Sequence, residues 1–244
     1  MPRVDLNCDL SEGAGHDAEL MPLITSVNIA CGAHAGDEAT MRATVALARR
    51  HGVAIGAHPG FADRENFGRV ERRLVPHEAG ALVIDQIQVL SEMVGEGLHH
   101  VKLHGALYNM AARDQALAME VALAIQTMGD LLVYAPWGSE LAKAAGVIAL
   151  PVAHEVFADR TYQADGSLTP RERPDALITD EKIAVEQVLR LVREGKVRAT
   201  DGNDVSVRAD TVCLHGDGSH AVAFAHRVSA ALKAAGVELR SVRD

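Results

Sequence analysis

The sequence predicts a single parallel (β/α) barrel of seven strands, and three observations support that prediction. Short apolar strands alternate with helices along the 244 residues, and only a few residues separate each helix from the next strand. Hydrophobic residues make up 48% of the chain and aromatic residues 3%, which favours a parallel sheet under Ala-rich helices over a β-sandwich. Seven strands precede the last helix, and that number suggests a closed barrel.

Each element is placed by its local sequence pattern. Predicted strands are short apolar runs that end in polar clusters, at 3–10, 26–34, 53–58, 99–105, 130–136, 147–155 and 209–217. Predicted helices have the longer period and end near a glycine, at 37–52, 76–97, 113–129, 139–146, 180–195 and 219–236. The helix at 37–52 carries the clearest signals, because Asp37 can cap its start and Gly52 can stop it. Residues 237–240 are a candidate for an eighth strand.

Two features bear on the architecture beyond the strand count. An open, doubly wound sheet competes with the barrel, but no G-x-G-x-x-G fingerprint follows the first strand. Residues 156–180 interrupt the alternation with several charges, two prolines and no sustained period, which is typical of a functional lid or a disordered insert. The aromatic residues Phe157 and Tyr162 favour an ordered lid. We therefore expect one domain over 1–244 with a long lid-like loop at 156–180.

Composition excludes several classes of protein. The formal net charge of −9 argues against binding to nucleic acid or to anionic membrane surfaces. Cys8, Cys31 and Cys213 are far apart and form no C-x-x-C motif, which indicates neither a disulfide framework nor a structural zinc site. The N-terminus lacks the pattern of a signal peptide, and no apolar run approaches the roughly 18 residues of a membrane span. We expect a soluble, cytoplasmic protein without nucleic-acid or membrane partners.

Histidines recur where the predicted strands end. The stretches C-G-A-H-A-G at 31–36 and I-G-A-H-P-G at 55–60 nearly repeat each other. Four histidines occupy equivalent positions on separate strands, each with Gly within the next two residues: His34, His58, His104 and His215. Because parallel strands all end at one face of a barrel, we expect the rings to face one pocket, with the glycines leaving room for a ligand. The alternative is that the repeat reflects only the preference of βα turns for small residues.

Charged residues also alternate along the predicted strands. Asp5, Asn7 and Asp9 have a period of two, so their side chains share one face of the first strand. Carboxylates inside a barrel are costly unless they bind a ligand or form hydrogen bonds with one another, so a structural network is the alternative to a binding site. Lys102 alternates with His104, and it is either a paired interior charge or an anchor for an anionic substrate group.

These patterns define the candidate site residues. As catalytic residues we predict Asp9, Glu12, His58, Lys102 and His104, and as substrate-binding residues Asp5, Asn7, Asn28, His34, Tyr108, Asn109, Asp159, Arg160, His215 and Asp217. Carboxylates beside neutral imidazoles can also hold a divalent metal, for which Asp9, His34, His58 and His104 are candidates. Cys8 and Cys31 are weaker candidates as nucleophiles, because strand cysteines are usually small core residues. No P-loop motif is present.

Several stretches containing these residues resemble the LamB/YcsF family, the family of the prokaryotic 5-oxoprolinase A subunits, in order and spacing. They are VDLNCDLSEG, NIACGAHAGD, IGAHPGFADRENFGR, HVKLHGALYN, EVFADRTYQADGSLTPR and CLHGD, and together they extend from residue 4 to about residue 220. Ser11 stands where the family usually has Gly, and Leu103 stands where Pro is common. Neither departure removes a titratable group.

The resemblance implies a fold, a reaction and partners. The implied fold is a seven-stranded barrel similar to the glycoside hydrolase and polysaccharide deacetylase group. The implied reaction is the ATP-dependent opening of 5-oxo-L-proline (pyroglutamate) to L-glutamate, with ATP as co-substrate and Mg²⁺ as its candidate counter-ion. The implied protein partners are two further subunits, PxpB and PxpC. Whether ATP binds this chain or a partner stays open.

The residues themselves supply the parts of a hydrolytic site. A carboxylate (Asp9 or Glu12) or a histidine (His58 or His104) can deprotonate water. Lys102 and Arg160 can hold an anionic substrate group by charge, and the loop at 156–180 can close over the site. Two other functions stay open: a stand-alone metal-dependent deacetylase or amidase, and a barrel that binds a small acid without catalysis.

Overall fold

Ten strands and eight α-helices make up the protein as described by a computed structural model over residues 2–75, 77–215 and 221–243. The strands are β1 (Arg3–Leu10), β2 (Ser26–Ala30), β3 (Ala54–His58), β4 (Leu98–Lys102), β5 (Leu132–Pro136), β6 (Val152–Phe157), β7 (Lys196–Arg198), β8 (Asp204–Ser206), β9 (Thr211–His215) and β10 (Glu238–Leu239). The α-helices are α1 (Asp17–Leu20), α2 (Glu38–His51), α3 (Glu78–Val94), α4 (Gly105–Arg113), α5 (Gln115–Thr127), α6 (Glu140–Val147), α7 (Glu181–Glu194) and α8 (Ala221–Ala234).

Seven of the strands form a closed parallel barrel. Strands β1 to β6 pair in chain order, β6 pairs with β9, and β9 pairs with β1. The register of the closing pair sets Asp5 opposite Thr211 and Asp9 opposite His215. The predicted seven-stranded barrel is confirmed, and the open sheet is excluded, because an open sheet has no pairing between its first and last strands.

The barrel has a polar interior inside an apolar shell. On β1, the buried side chains of Leu6, Cys8 and Leu10 belong to the large hydrophobic cluster that the helices share. The alternate residues, Asp5 and Asp9 among them, are also buried but form hydrogen bonds across the barrel. Both faces of β1 are thus buried. Because side chains alternate along a strand, the apolar ones point to the helices and the polar ones point into the barrel.

Local signals in the sequence define α2 as predicted. Asp37 caps the helix by accepting a hydrogen bond from the Thr40 backbone N–H at 2.8 Å, and Thr40 Oγ1 accepts one in return from the Asp37 N–H. Gly52 ends the helix in the left-handed conformation with φ of 66°. A residue with a Cβ is strained there, which explains why the helix stops at glycine.

The fold departs from the predicted elements at several places, of which three bear on the barrel and the site. A helix, α4, follows β4 directly where the sequence pattern predicts none, so Tyr108 and Asn109 lie on a helix. Its start has no side-chain cap, because His104 at the N-cap position makes no capping hydrogen bond. Strand β10 pairs with the start of β1 and takes no part in barrel closure. The antiparallel hairpin of β7 and β8 is a further difference, because the sequence pattern predicts no strands there.

The segment 158–180 is tied to the barrel by backbone and side-chain hydrogen bonds. It forms antiparallel bridges between Arg160 and Leu177 and between Tyr162 and Leu168. The buried Tyr162 hydroxyl accepts a hydrogen bond from the Phe157 N–H at 2.8 Å. From α7, Gln187 donates to the carbonyls of Phe157 and Arg160 at 3.1 and 2.9 Å.

No helix among the described residues has the length and apolarity to cross a membrane.

Candidate active site

A small cavity of about 50 Å³ opens at the carboxyl ends of the barrel strands. Predicted site residues that line it are Asp9, Glu12, His58, Lys102, His104, Tyr108, Asn109, Arg160 and His215. The other lining residues are Arg69, Leu103, Gly105, Phe157, Leu168 and Arg171. The residues come from most of the strand ends and from the segment 158–180. Side chains scattered along the sequence therefore converge on one face, where parallel barrels carry their active sites.

Three histidines surround one carboxylate at the edge of this cavity. The rings of His34 and His104 are stacked, with centroids 3.7 Å apart, and the ring of His58 is nearly perpendicular to both. Glu12 Oε1 lies 3.2 Å from His34 Nε2, 3.4 Å from His104 Nδ1 and 3.8 Å from His58 Nε2. All four side chains offer donor atoms within 4.8 Å of one another.

Two of these rings face each other through nitrogen atoms whose protonation is constrained. His58 Nδ1 lies 2.8 Å from the Lys102 carbonyl oxygen and His104 Nε2 lies 2.9 Å from the Phe67 carbonyl oxygen. Each of these nitrogens must carry a proton to donate to its carbonyl. His58 Nε2 and His104 Nδ1, 2.9 Å apart, would then both present lone pairs if both rings were neutral. A proton or a metal ion between them removes this conflict.

The surroundings of the two rings show which one holds the proton. Burial opposes a charge on His58, but the nearby Asp9 carboxylate raises the pKa of His58 above its usual value. Burial lowers the pKa of His104 well below its usual value, and the positive charge on His58 lowers it further. Without a metal, His58 is therefore the imidazolium that donates to His104 Nδ1.

The same four side chains fit a divalent cation. Three imidazoles and one carboxylate are ligand types that Zn²⁺ and similar ions take. His34 turns Nε2 toward Glu12, while its Nδ1 lies beside Gly60, buried and without a hydrogen-bond partner in the described part of the chain. The hydrogen bonds from His58 and His104 to backbone carbonyls would fix the rings with their second nitrogens toward an ion, as in known metal sites. The cluster is thus a possible metal-binding site formed by His and Glu residues.

The glycines beside the histidines serve the packing of the rings. A Cβ on Gly60 would lie 2.9 Å from His34 Nδ1 and 3.0 Å from His104 Cβ. A Cβ on Gly68 would lie 2.9 Å from His34 Cβ. The sequence suggested that glycine leaves room for a ligand. At these two positions it leaves room for the neighbouring histidine rings instead.

Lys102 lies at the centre of a buried charge network. Its ammonium group is 2.8 Å from Asp9 Oδ1, 3.0 Å from Glu155 Oε1 and 2.9 Å from Cys213 Sγ. Burial disfavours the charged ammonium group, but the nearby Asp9, Cys213 and Glu155 hold the pKa of Lys102 well above its ordinary value. The sequence left Lys102 as either a paired interior charge or an anchor for an anionic substrate group. The structure shows the paired interior charge, because the ammonium group forms ion pairs with the carboxylates of Asp9 and Glu155.

Amides and a phenol extend this network around the barrel. Asn28 donates to Asn7 Oδ1 at 2.7 Å and to Asp9 Oδ1 at 2.8 Å. Asn7 donates to Glu155 Oε1 at 3.0 Å, and the Tyr108 hydroxyl donates to Glu155 Oε2 at 2.7 Å. Asn7 and Asn28 therefore lie behind the cavity wall, where they orient Asp9 and Glu155, while Tyr108 reaches the cavity itself.

Asp5 lies deeper in the barrel than its predicted role requires. It accepts hydrogen bonds from four hydroxyl groups, those of Thr25, Ser26, Tyr134 and Thr211, at 2.5 to 2.9 Å. Burial raises the pKa of its carboxyl group, although the hydroxyl donors oppose that shift. Asp5 does not line the cavity. The structure corrects its predicted position as a substrate ligand and places it in the structural network.

On the opposite wall, charged residues of the segment 158–180 meet the last barrel strand. Asp159 Oδ2 lies 2.8 Å from His215 Nδ1, and Arg171 lies 3.1 Å from His215 Nε2. Burial alone would raise the pKa of Asp159, but His215 and Arg171 hold that pKa below its ordinary value. Asp217, which the sequence also suggested, lies outside the described residues.

Arg160 is a buried cation whose hydrogen bonds to the described residues go to backbone carbonyls. It is 4% exposed, and it donates to the carbonyls of Thr169 and Ala176 at 2.6 and 3.4 Å. Within the described ranges it forms no ion pair with a carboxylate. Burial, together with the charge of Arg171, lowers its pKa to about 10. It remains charged at neutral pH, and it lines the cavity.

Some site residues escaped the sequence prediction. Glu155 is central to the network, and its signal was a single carboxylate in an apolar strand. Arg69 and Arg171 line the cavity from loops, where periodicity gives no signal. Among the cysteines, burial raises the pKa of Cys31 to about 12 and the pKa of Cys8 well above its ordinary value. Both behave as core residues and not as nucleophiles.

Fold and site together define a class of protein: a parallel seven-stranded (β/α) barrel with a histidine and carboxylate cluster at the carboxyl ends of its strands. Within that class, the chain belongs to the LamB/YcsF family, whose family model matches residues 4–244. The 5-oxoprolinase A subunit of Brevibacillus brevis is 53% identical over 248 residues, which cover 98% of each chain. The 5-oxoprolinase A subunit of Bacillus subtilis is 51% identical over 253 residues, which cover 100% of this chain and 98% of the relative.

Two solved structures resemble this chain to different degrees. The lactam utilization protein from Thermus thermophilus superimposes with a TM-score of 0.91 at 45% identity, covering 98% of this chain and 99% of that one. A variant of the peptidoglycan deacetylase PdaC from Bacillus subtilis has a TM-score of 0.52 at 13% identity, covering 99% of this chain and 88% of that one. At that identity the second likeness concerns the fold alone.

Proposed function

We propose that this chain is the A subunit of an ATP-dependent 5-oxoprolinase, which opens 5-oxo-L-proline to L-glutamate while ATP becomes ADP and phosphate. The observation that carries the proposal is a buried cluster of histidines and carboxylates in a chain 53% identical to a 5-oxoprolinase A subunit. The name of the Thermus relative, a lactam utilization protein, supports a cyclic amide as the substrate. PxpB and PxpC are the proposed partner subunits, and the cytoplasm is the proposed location.

The chemistry explains why ATP is needed. A lactam resists water because resonance weakens its carbonyl carbon as an electrophile and its nitrogen as a leaving group. When the lactam oxygen attacks the γ-phosphorus, ADP departs with the electrons of the broken P–O bond, and the ring carbon becomes electrophilic. Water then adds to that carbon, the C–N bond breaks toward nitrogen, which takes a proton, and a second water hydrolyses the acyl phosphate.

Glu12 is the proposed general base for the attacking water. Its carboxylate lines the cavity and contacts the three histidine rings through Oε1. The imidazolium of His58, hydrogen-bonded to His104, keeps a positive charge beside that carboxylate and so favours its ionised form, which takes the proton from water. General bases placed in this way contribute about 10² to 10⁴ in rate.

The opposite wall is the proposed binding site for the substrate. The carboxylate of 5-oxoproline would pair with the buried Arg160, which lines the cavity and forms no ion pair with a carboxylate in the part of the chain that the structure describes. Tyr108 and Asn109 would orient the ring from α4. The segment 156–180 acts as the lid of a one-domain protein, and its contacts to β9 through Asp159 and His215 keep bulk water out.

A metal-dependent hydrolase is the second candidate, because the facing nitrogens of His58 and His104 also suit a cation. His34, His58, His104 and Glu12 would hold the ion, which would supply a Lewis acid for the amide carbonyl. Metal content after purification without added ions, and activity before and after chelation, separates the two candidates. Glutamate release that needs ATP and survives chelation of transition metals supports the first.

The direct test is release of glutamate from 5-oxoproline by the chain reconstituted with PxpB and PxpC, with and without ATP. Glu12→Gln and His104→Ala should each lower the rate at least about 100-fold, because both side chains act at the reacting centre. Glu19→Gln, at an exposed carboxylate on α1, is the matched control and should keep the full rate. Full activity of Glu12→Gln would refute the assigned base.

A further inference from the structure

Two adjacent histidines on β4, His99 and His100, take part in no step of the proposed reaction. His100 is fully buried inside the barrel and does not line the cavity. Its ring is stacked on the ring of Tyr134, with centroids 4.1 Å apart and planes 8° apart. On the neighbouring strand β3, Gly56 makes room for the ring, because a Cβ there would overlap His100 Nε2. The barrel interior is therefore shaped around an imidazole that has no assigned role.

The hydrogen bonds of Asn28 fix the position of the proton on His100. The Asp9 carboxylate, paired with Lys102, only accepts hydrogen bonds, so the Asn28 atom 2.8 Å from Asp9 Oδ1 is the amide nitrogen. The second hydrogen of that nitrogen goes to Asn7 Oδ1 at 2.7 Å. Asn28 Oδ1 therefore points the other way, where it lies 2.8 Å from His100 Nε2. An amide oxygen needs a donor, so His100 carries a proton on Nε2.

The other nitrogen of His100 receives a hydrogen bond from its neighbour in the chain. Burial lowers the pKa of His100 well below its ordinary value, so the ring is neutral and has one proton. With that proton on Nε2, His100 Nδ1 is an acceptor, and it lies 3.0 Å from His99 Nδ1. His99 Nδ1 is then the donor. Every hydrogen bond from His99 through His100 and Asn28 is thus donated in the direction of Asp9, so that each one polarises the next.

Asn28 determines how the Asp9 carboxylate faces the reacting centre. Asn28 and Lys102 both donate to Asp9 Oδ1, each at 2.8 Å. This anchors one oxygen in the barrel and leaves Oδ2 3.5 Å from His58 Nε2, beside the proposed base Glu12. If the Asn28 amide turned over, its oxygen would face Asp9 Oδ1 and repel it. The orientation of a single amide therefore decides whether Asp9 can pair with His58.

We propose that His100 is a positioning residue for the hydrolysis: its Nε2 proton fixes the amide of Asn28, which holds Asp9 toward His58. This inference rests on the proposed function, because it assigns a role in that reaction to a residue outside the cavity. His100 acts through two other side chains and does not touch the substrate. Its loss should therefore slow the reaction of bound substrate and leave substrate affinity unchanged.

Two substitutions separate the hydrogen bond from the space that the ring fills. His100→Gln keeps an N–H donor near the position of Nε2, whereas His100→Met fills the barrel without a donor. Each variant is reconstituted with PxpB and PxpC, and glutamate release is measured. His100→Met should lower kcat by about tenfold to 100-fold, as a misplaced group does, with KM for 5-oxoproline within about twofold of the wild-type value. His100→Gln should recover most of kcat.

Tyr134→Phe is the matched control for damage to the barrel interior. It keeps a ring stacked on His100 but removes a hydroxyl that binds Asp5 and Ser26 in the structural network. This variant should lower the melting temperature and leave kcat unchanged. A fall in kcat as large as that of His100→Met would show that any disturbance of the interior slows the reaction, and the inference would be wrong.

A double-mutant cycle tests whether His100 acts through Asn28. In the background of Asn28→Leu there is no amide to orient, so adding His100→Met should not lower kcat further. The same loss from His100→Met in both backgrounds would contradict the proposed route.

The position of the protons is measured without any activity. In the purified full-length chain with isotope-labelled histidine, long-range proton–nitrogen NMR spectra show which nitrogen of each ring carries the proton. His100→Gln identifies the signals of His100 by their absence. We expect the proton of His100 on Nε2 and a proton of His99 on Nδ1. This measurement on the wild-type chain applies whether or not His100→Met folds.

Three results would overturn the inference: a His100 ring with its proton on Nδ1, equal kcat values for His100→Gln and His100→Met, or a loss in His100→Met that appears in KM alone. Each of these can occur while the wild-type complex releases glutamate, and the proposed function then stands. A wild-type complex that releases no glutamate refutes the proposed function itself, so the two failures are distinguishable.

Discussion

His58 and His104 meet through ring nitrogens 2.9 Å apart, and the opposite nitrogen of each ring faces a backbone carbonyl oxygen. This pair joins the end of β3 to the start of α4, so it also connects two strand ends of the barrel mouth. Because both outer nitrogens must be donors, the space between the rings always contains a proton or another cation. The site is thus built around a positive charge. Asp9, on β1, lies close to His58, and Glu12, in the loop after β1, lies close to His104.

Loss of the buried ammonium group should cost stability as well as activity. Lys102→Met leaves the carboxylates of Asp9 and Glu155 buried without their cation. Removing one partner of a buried ion pair typically destabilises a protein by about 3–5 kcal/mol. Urea unfolding should show a loss of this size.

A second variant tests the cause of that loss. The double variant Lys102→Met with Glu155→Gln should recover part of the stability, since one uncompensated charge is removed with the cation. A single variant as stable as the wild-type protein would show that the charges are not compensating each other.

Asp5 should affect folding and leave the catalytic rate alone. In Asp5→Asn one carboxylate oxygen becomes an amide NH2 group, which cannot accept the two hydroxyl hydrogen bonds that this oxygen now receives, while the remaining amide oxygen can still accept the other two. We expect the unfolding free energy to fall by about 1–3 kcal/mol, the usual cost of an unsatisfied buried polar group. At a temperature where the variant stays folded, kcat for glutamate release should match that of the wild-type protein. A large fall in kcat would place Asp5 in the chemistry after all.

Arg160 should be needed for the substrate more than for the fold. Arg160→Met removes the proposed partner of the substrate carboxylate, and a charge-assisted hydrogen bond contributes about 1.5–3 kcal/mol. KM for 5-oxoproline should therefore rise about tenfold or more. Because the guanidinium also donates to the carbonyls of Thr169 and Ala176, the unfolding free energy should fall by about 1–3 kcal/mol as well, which leaves the variant folded at assay temperature. A collapsed fold with unchanged KM would contradict this role.

The contact between Asp159 and His215 should weaken in acid. The pKa of Asp159 is lower in the folded protein than its ordinary value of 3.8, because His215 and Arg171 outweigh burial. A lowered carboxyl pKa stabilises the folded state above pH 3.8, and this contribution is lost as the pH falls through the folded pKa. The difference in unfolding free energy between the wild-type protein and Asp159→Asn should therefore shrink as the pH falls from about 5 toward the folded pKa of Asp159. A difference that grows in acid would contradict the assigned pairing.

The sequence was informative where side chains follow strand geometry. The barrel could be predicted from alternation and short joints, and the convergence of His34, His58 and His104 from their place at strand ends. Once the barrel is accepted, the geometry of parallel strands brings those ends together without further information. The pairing of Asp9 with Lys102 follows from the same rule.

Other features depend on tertiary contacts that one sequence does not show. The helix α4 has no capping side chain at His104, and its start is held by a hydrogen bond from Ala106 to the Gly68 carbonyl in a distant loop. Arg69 and Arg171 reach the cavity from loops whose course depends on such contacts. The depth of Asp5 in the barrel could not be predicted either. A period of two indicates which face of the strand a side chain lies on, but not how far it lies from the barrel mouth.

The pairing of β1 with β9 has a consequence for how the protein is made. Partners such as Asp5 and Thr211 are 206 residues apart, so the ring cannot shut until nearly the whole polypeptide has left the ribosome. Until then the polar residues of β1 have no partners on one side, and the growing chain exposes two unpaired sheet edges. Catalytic competence is therefore acquired late and all at once, and a nascent chain interrupted before residue 211 would be a target for chaperones and proteases.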